Sequence, residues 1–399
     1  VARGPLLDLT ESNPTHAGLP YPAEAIAAAL ANGPSGRYEP APLGMPSARA
    51  AVARAPFALY EPAPLGLPAA RVAVAADYAR AGGAVDPERV VLTASSSESY
   101  GFLFKLCCDP GDAVLVPEPS YPLFEYLARL EGVVPIGYRL AFDGVWHVDF
   151  SSLDDALAAA RNDGRRPRTV VVVNPNNPTG SFLKRAELAR LAAFCAREDL
   201  ALVADEVFAP YPCAPDPDRV STIAVDPTVA DGPPVFSLGG LSKACGLPQL
   251  KLGWIVAGGR DAARAITALE LVADTYLSVA TPVQAALAEL LPLGAEVRAA
   301  IAARIAGNRA QLAAALPPTS GITGLPAEGG WSAILRLPAS RSDESWAASL
   351  VAQTGVLTQP GYFYDLSGGT FLVLSLLPPP ALFGEAIARL VAHVDAVLR

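Results

Sequence analysis

Ser237-Leu-Gly-Gly-Leu-Ser-Lys243-Ala-Cys-Gly-Leu-Pro-Gln-Leu-Lys251-Leu-Gly-Trp254 sets one lysine in a small, glycine-rich turn between the apolar runs Val235 to Leu238 and Leu252 to Ala257. A second cation, Lys251, follows eight residues later. A lysine amine is a poor nucleophile at its free pKa, and desolvation among small and apolar neighbours, or a nearby cation, lowers that pKa enough for Schiff-base chemistry. Small neighbours also leave room for a planar aldehyde. Taken alone the stretch suits a solvated loop lysine as well as a covalent cofactor lysine.

Two further stretches repeat the strand-then-polar pattern. Asn174-Pro-Asn-Asn177-Pro-Thr-Gly180 follows the apolar run Thr169 to Val173, and Asp205-Glu206 closes the run Leu200 to Ala204. In a parallel sheet, residues just past the carboxyl ends of strands converge on one edge, where ligands bind. An asparagine, an aspartate and a lysine are therefore expected at the ends of three strands on one face.

With these motifs in this order, the chain resembles the class I/II pyridoxal-phosphate aminotransferases of fold type I over nearly its whole length. The resemblance implies pyridoxal 5'-phosphate as cofactor, an amino donor and a 2-oxo acid as substrates, and a homodimer. It implies roles residue by residue. Lys243 would hold the cofactor covalently and shuttle a proton, and Asp205 would keep the pyridine nitrogen protonated so that the ring acts as an electron sink. Asn177 would donate to the phenolate oxygen, and Tyr121, in Pro119-Ser-Tyr-Pro122, would stack on the ring. Lys251 stands where the family usually carries a phosphate-binding arginine, and it brings the charge without the bidentate fork. Asn13 and Arg336 are the substrate-binding candidates. Other reactions share the scaffold, so a lyase, decarboxylase or oxidase, or a non-catalytic cofactor-binding protein, stays open beside the aminotransferase.

The phosphate site can also be argued from the residues. Thr93-Ala-Ser95-Ser96-Ser97-Glu98 lies between a strand pattern and a helix pattern, and a helix N-terminus offers free N–H groups and a dipole that favours anions. A plain N-cap would account for one serine but hardly for three.

Three positions depart from the family pattern. Phe208 replaces a tyrosine expected three residues after Asp205, Gly240 a hydroxyl residue three before Lys243, and Val373 the arginine that would clamp a substrate α-carboxylate. Arg336 is the nearest replacement for that clamp by sequence, with a surface strand-end charge as its plainer reading. The alternative is an amine donor without an α-carboxylate. A side-chain-carboxylate arginine would fall near Leu277, so aspartate and glutamate are expected to be poor donors.

Organisation and composition frame these motifs. Seven apolar runs, beginning at Val90, Ala113, Val133, Thr169, Leu200, Val235 and Leu252, alternate with helical patterns such as Ser97 to Cys108, Tyr121 to Glu131 and Lys184 to Glu198. This reads as an α/β fold with a seven-stranded, mainly parallel sheet in a large cofactor-binding domain. Residues 1–60 form an N-terminal segment, 61–295 the large domain and 296–399 a smaller α+β domain. One segment is duplicated: Tyr38-Glu-Pro-Ala-Pro-Leu-Gly44 recurs as Tyr60-Glu-Pro-Ala-Pro-Leu-Gly66. The resemblance expects one such motif, reaching a neighbouring subunit's phosphate. Tyr60 is assigned to it, and the first copy is either looped out or a competing register. The 399 residues are 51% hydrophobic with a formal net charge of -9, which speaks against a nucleic-acid partner. Five cysteines without metal-type spacing read as reduced structural thiols, with no metal site. No apolar run of eighteen residues or leader pattern appears, so a cytoplasmic protein without membrane insertion is expected.

Overall fold

The computed structural model describes residues 6–31, 63–317 and 320–398. The strands in chain order are β1 (Leu7–Asp8), β2 (Val90–Thr93), β3 (Ala113–Glu118), β4 (Val134–Phe142), β5 (Trp146–Val148), β6 (Pro167–Val173) and β7 (Ala201–Asp205). They continue with β8 (Val235–Gly240), β9 (Gly253–Gly258), β10 (Thr323–Gly324), β11 (Ser332–Leu337), β12 (Val356–Leu357), β13 (Gln359–Pro360) and β14 (Thr370–Ser375). Eight of them form one sheet in the order β2-β9-β8-β7-β6-β3-β4-β5.

The sheet has one strand more than the seven expected. The extra strand, β5, is only three residues long and pairs antiparallel with β4 at the edge. Asp143-Gly144-Val145 turns the chain back between them, and a run this short carries no readable periodicity. The middle of the sheet, from β8 through β7, β6 and β3 to β4, is parallel, while β9 runs antiparallel to both of its neighbours.

Both faces are covered, as near-continuous apolar strands require. Val91, Val114, Val203, Phe236 and Ile255 pack with residues of the helices Ser96–Cys107, Leu123–Leu130 and Ala262–Tyr276. Their pleat neighbours Val90, Leu92, Leu115, Leu202, Val235 and Val256 pack on the other face, against the helices Pro68–Arg80, Phe150–Asn162 and Arg185–Glu198. The helix ends follow from local chemistry. Asp149 caps Phe150–Asn162 by accepting from the N–H groups of Ser151 (3.0 Å) and Ser152 (3.1 Å), and Asp199 ends Arg185–Glu198 in the left-handed region.

A second sheet, ordered β10-β11-β14-β13, builds another core with the helices Asp343–Thr354 and Pro380–Leu398. β1 pairs in parallel with β12 beside it. The long helix Leu287–Ala315 serves both cores. Leu287, Leu290 and Leu291 belong to the first, and Val297, Ile301, Ile305 and Leu312 to the second. Tyr38 and Tyr60 lie outside the described residues, which take in only residues 63–66 of the second copy.

Candidate active site

Three neighbouring strands end together. Val173 of β6 is paired with Asp205 of β7, and Asp205 with Leu238 of β8. The Asn174–Gly180 turn, Asp205 and the turn bearing Lys243 thus leave the sheet along one edge.

The pleat decides where Asp205 points. Two residues after Val203, it faces the side of the helix Ser96–Cys107. Its Oδ2 accepts from the Tyr100 hydroxyl at 3.1 Å and its Oδ1 from the Val207 N–H at 3.2 Å. Burial pushes the Asp205 carboxyl up to about 6, while those two donors and Lys243 favour its anion. It has no ion-pair contact among the described residues.

Lys243 sits in the single helical turn Leu241–Ala244. Its Nζ lies 4.8 Å from the centroid of the Trp331 ring and 5.3 Å from that of Phe208, and these two rings meet edge to face. Burial brings its amine down to about 8, with Asp205 holding it up. The backbone of the turn is fixed from several sides. The Tyr211 hydroxyl donates to the Lys243 carbonyl at 2.5 Å, and the Tyr21 hydroxyl to the Gly246 carbonyl at 2.7 Å. Gly294, inside the long helix, admits Cys245 where any side chain would collide with it. Tyr211 is therefore committed to the lysine's backbone, and Phe208 supplies an apolar wall at the position of the expected tyrosine. Gly240 pairs with Gly253 of β9, and a Cβ there would come within 3.2 Å of the Gly253 Cα. Close strand contact thus opposes a larger residue at Gly240.

The serines stand beside this turn. Ser95 caps the helix Ser96–Cys107 by accepting from the Glu98 N–H at 3.1 Å, and Glu98 accepts from the Ala94 N–H at 2.6 Å. Glu98 thus reaches back past the cap to the preceding residue, Ala94. The cap occupies the Ser95 hydroxyl, whereas Ser96 and Ser97 make no side-chain hydrogen bond among the described residues. Gly253 lies against the Ser95–Ser96 peptide, where an added Cβ would be 3.0 Å from the Ser95 carbonyl carbon. Lys251, two residues earlier, is exposed in the left-handed region.

The asparagines of the turn divide their work. Asn174 bonds the Val220 carbonyl and the Leu183 N–H, and Asn176 the Pro119 carbonyl and Thr179. Asn177 instead accepts from the Ser332 hydroxyl at 3.0 Å, which joins the turn to β11. Tyr121 is 49% exposed, next to Ser120, whose N–H donates to the Tyr364 carbonyl. Asn13 caps a short 3-10 turn through Thr15. Arg336 lies four residues along β11 from Ser332, about 13 Å at the rise of a strand, with its guanidinium 5.5 Å from the Phe371 ring centroid. Val373 is 1% exposed in an apolar cluster with Ile334, Phe371, Tyr364 and Leu366.

Tyr100, Tyr211, Trp331 and Ser332 are additions that sequence reasoning missed. Tyr100 follows the serine cup by one helical turn, a spacing that puts it on the covered face and could have marked it. Nothing local in the sequence ties Tyr211 or Trp331 to Lys243.

The aminotransferase class I and II family model matches residues 5–382, and the chain belongs to that family. Among curated relatives, a valine–pyruvate aminotransferase of Mycobacterium tuberculosis (strain ATCC 25618 / H37Rv) is 28% identical over 403 residues, spanning 97% of this chain and 90% of the relative. A 1-aminocyclopropane-1-carboxylate synthase of Oryza sativa subsp. japonica is 33% identical over 247 residues, 57% of this chain and 47% of the relative. A crystal structure of an aminotransferase from Mycobacterium tuberculosis superposes with a TM-score of 0.77 at 26% identity, covering 99% of this chain and 93% of that one. One from Escherichia coli shares the fold with a TM-score of 0.79 at 21% identity, covering 98% and 91%. The chain is an enzyme of the aminotransferase class. No helix among the described residues is long and apolar enough to cross a membrane.

Proposed function

We propose that this aminotransferase works with pyridoxal 5'-phosphate held between the serine cup and Lys243, moving an amino group between an amino acid or other amine and a 2-oxo acid. The observation that carries this reading is the convergence of a carboxylate, a desolvated amine and a helix N-terminus at one sheet edge. The donor set fits the group. A carboxylate with no ion pair among the described residues suits a cationic ring nitrogen, an amine with a lowered pKa suits an aldehyde, and Ser96 and Ser97 at a helix start suit a phosphate. Lys251 adds charge on that side.

When bound, the cofactor supplies an electron sink for the charge left at the substrate Cα. Asp205, its oxygens kept in place by Tyr100 and the Val207 N–H, would hold the ring nitrogen and favour its protonated form. With its carbonyl oxygen held by Ser332, Asn177 would use its amide nitrogen to hold the phenolate oxygen. The Lys243 amine, brought down to about 8 by burial, would serve as the general base and acid that moves a proton at the substrate Cα. Trp331 and Phe208 flank that amine with apolar rings. Tyr121 is assigned to the ring face. Asn13, whose amide nitrogen lies 3.4 Å from His16 Nε2, is assigned to the substrate side, and Tyr60 to a partner's phosphate in a cytoplasmic homodimer.

The test is spectroscopic. Purified protein incubated with pyridoxal phosphate should show the absorbance of a lysine-bound cofactor, and an amino donor should convert it to the pyridoxamine form. No such band, or one that survives Lys243→Ala, would refute the reading. A lyase reading is favoured by the partial match to a synthase of that type. It is separated by product analysis, since a lyase releases a fragment without consuming a 2-oxo acid.

A further inference from the structure

Asp205 and Glu206 are consecutive carboxyl residues at the end of β7, and the pleat sends them to opposite faces of the sheet. Asp205 meets Tyr100 on one side. Glu206, 4% exposed, lies on the other, where its Oε1 accepts from the Ile223 N–H at 2.6 Å and Ala224 and Ile223 pack nearby as fully buried apolar residues. Its Oε2 is sealed from the surface with no hydrogen-bond partner among the described protein groups. No lysine or arginine among the described residues forms an ion pair with it. The adjacent polar groups are the Ser237 hydroxyl of β8, itself accepting from the Ala224 N–H at 2.9 Å, and Tyr78 of the helix Pro68–Arg80, whose hydroxyl accepts from the Trp254 indole at 3.1 Å. The charged or titratable groups bearing on Glu206 are therefore Asp205 from its own strand and Tyr78 from the helix.

An ionised carboxylate so enclosed would carry a desolvation cost that the Ile223 N–H and the adjacent Ser237 hydroxyl do not offset, and a neutral acid avoids it. A second negative charge one residue from Asp205 would also oppose ionisation there. We propose that Glu206 is carried protonated, as a neutral positioning residue that ties β7 to the Ile223 segment and leaves Asp205 as the single negative charge at the strand end. Burial, and secondarily the Asp205 charge, push the Glu206 carboxyl up to about 8, consistent with this assignment. The division of labour bears on the proposed cofactor site, because a lone charge on the Tyr100 face is what a ring nitrogen requires. The measurements below need no cofactor, so their failure is distinct from failure of the functional reading.

The sign of the linkage gives a test that an ordinary structural glutamate would fail. With the folded-state pKa raised above the unfolded value, stability falls as pH rises from about 4.5 to about 8, because only the unfolded chain loses the proton in that window. Glu206→Gln keeps the shape of the neutral acid and cannot ionise. Relative to wild type, its melting temperature should therefore rise progressively between pH 5 and 8, and its unfolding at pH 6.5 should release about one proton fewer. A variant that is less stable by the same margin at every pH overturns the proposal.

Should Glu206→Gln not fold, the unmodified chain is read directly by infrared difference spectroscopy with isotope-labelled glutamate. Glu118→Gln serves as background, since among the described residues Glu118 is the other glutamate whose carboxyl pKa burial raises. A protonated glutamyl carbonyl band should persist at pH 6.5 and fade near pH 8, and its absence at pH 6.5 overturns the proposal. Aspartate labelling reads the second half. The Asp205 band should titrate at the same pH in wild type and in Glu206→Gln, and a downward shift in the variant would show that wild-type Glu206 is charged.

Discussion

The hydroxyl of Tyr211 donates a 2.5 Å hydrogen bond to the backbone carbonyl of Lys243, across 32 residues of chain. The tyrosine is buried, with its ring edge to face against Trp331, which also flanks the lysine amine. One aromatic pair thus holds both the backbone and the side chain of the residue assigned to the chemistry.

Tyr211→Phe removes the donor and leaves a buried carbonyl without it. The expected cost is about 1 to 3 kcal/mol of stability, read from the midpoint of chemical denaturation. The rate of cofactor attachment should fall with it. A variant as stable as wild type would show that the bond does not hold the turn.

Lys243 and Asp205 both bear ionisation costs in the folded chain without cofactor, with opposite signs in pH. The lysine pKa is lowered to about 8, so its penalty is present below that pH and relieved as pH rises toward 10.5. The aspartate pKa is raised to about 6, so its penalty grows as pH rises from 3.8 to 6 and persists above. Because both groups are partly exposed and attract each other, roughly 1 to 2 kcal/mol is expected for each rather than the full shift. Lys243→Met and Asp205→Asn should each stabilise the cofactor-free protein at pH 7 while abolishing turnover. Thermal unfolding across pH 5 to 9 checks both signs.

The carboxylate clamp is testable with paired donors. Val373 is embedded in an apolar cluster and Arg336 lies at the far end of β11 from Ser332. A charge-assisted hydrogen bond contributes about 1.5 to 3 kcal/mol, or roughly one to two powers of ten in binding. Donors with and without an α-carboxylate should therefore differ by less than tenfold in kcat/KM, with aspartate and glutamate poor in either case. A strong preference for α-amino acids that Arg336→Ala removes would establish Arg336 as the clamp. A preference that survives the substitution would place the clamp elsewhere.

Assembly and the duplicated motif are tested together. Light scattering should report a dimer at micromolar concentration. Tyr60→Phe should weaken retention of pyridoxal phosphate, and Tyr38→Phe should not. The reverse pattern would give the first copy the functional register.

Much of the fold was readable because its strands are apolar runs ending in polar motifs, and Asp205, Asn177 and Lys243 could be placed at strand ends by counting alone. β5 was not, because three residues at an edge carry no period. The walls of the site were also hidden. Tyr211 and Trp331 reach Lys243 only through tertiary packing, and Trp331 lies in the other sheet's core. Glu206 was visible as a residue, but its environment depends on which face the pleat assigns it and on the Ile223 segment closing over it.

The register that joins β8, β9 and β2 places Gly240 opposite Gly253 and Gly253 opposite Thr93. Two strand spacings, about 10 Å, therefore separate the start of the lysine turn from the start of the serine turn, and hydrogen-bonded main chain sets that distance. The sheet acts as a fixed gauge between the two points where a ligand would be gripped. Side-chain exchange can change how tightly each end is held, but a ligand of different length would demand a slip in the ladder that sends every side chain of β9 to the opposite face of the sheet.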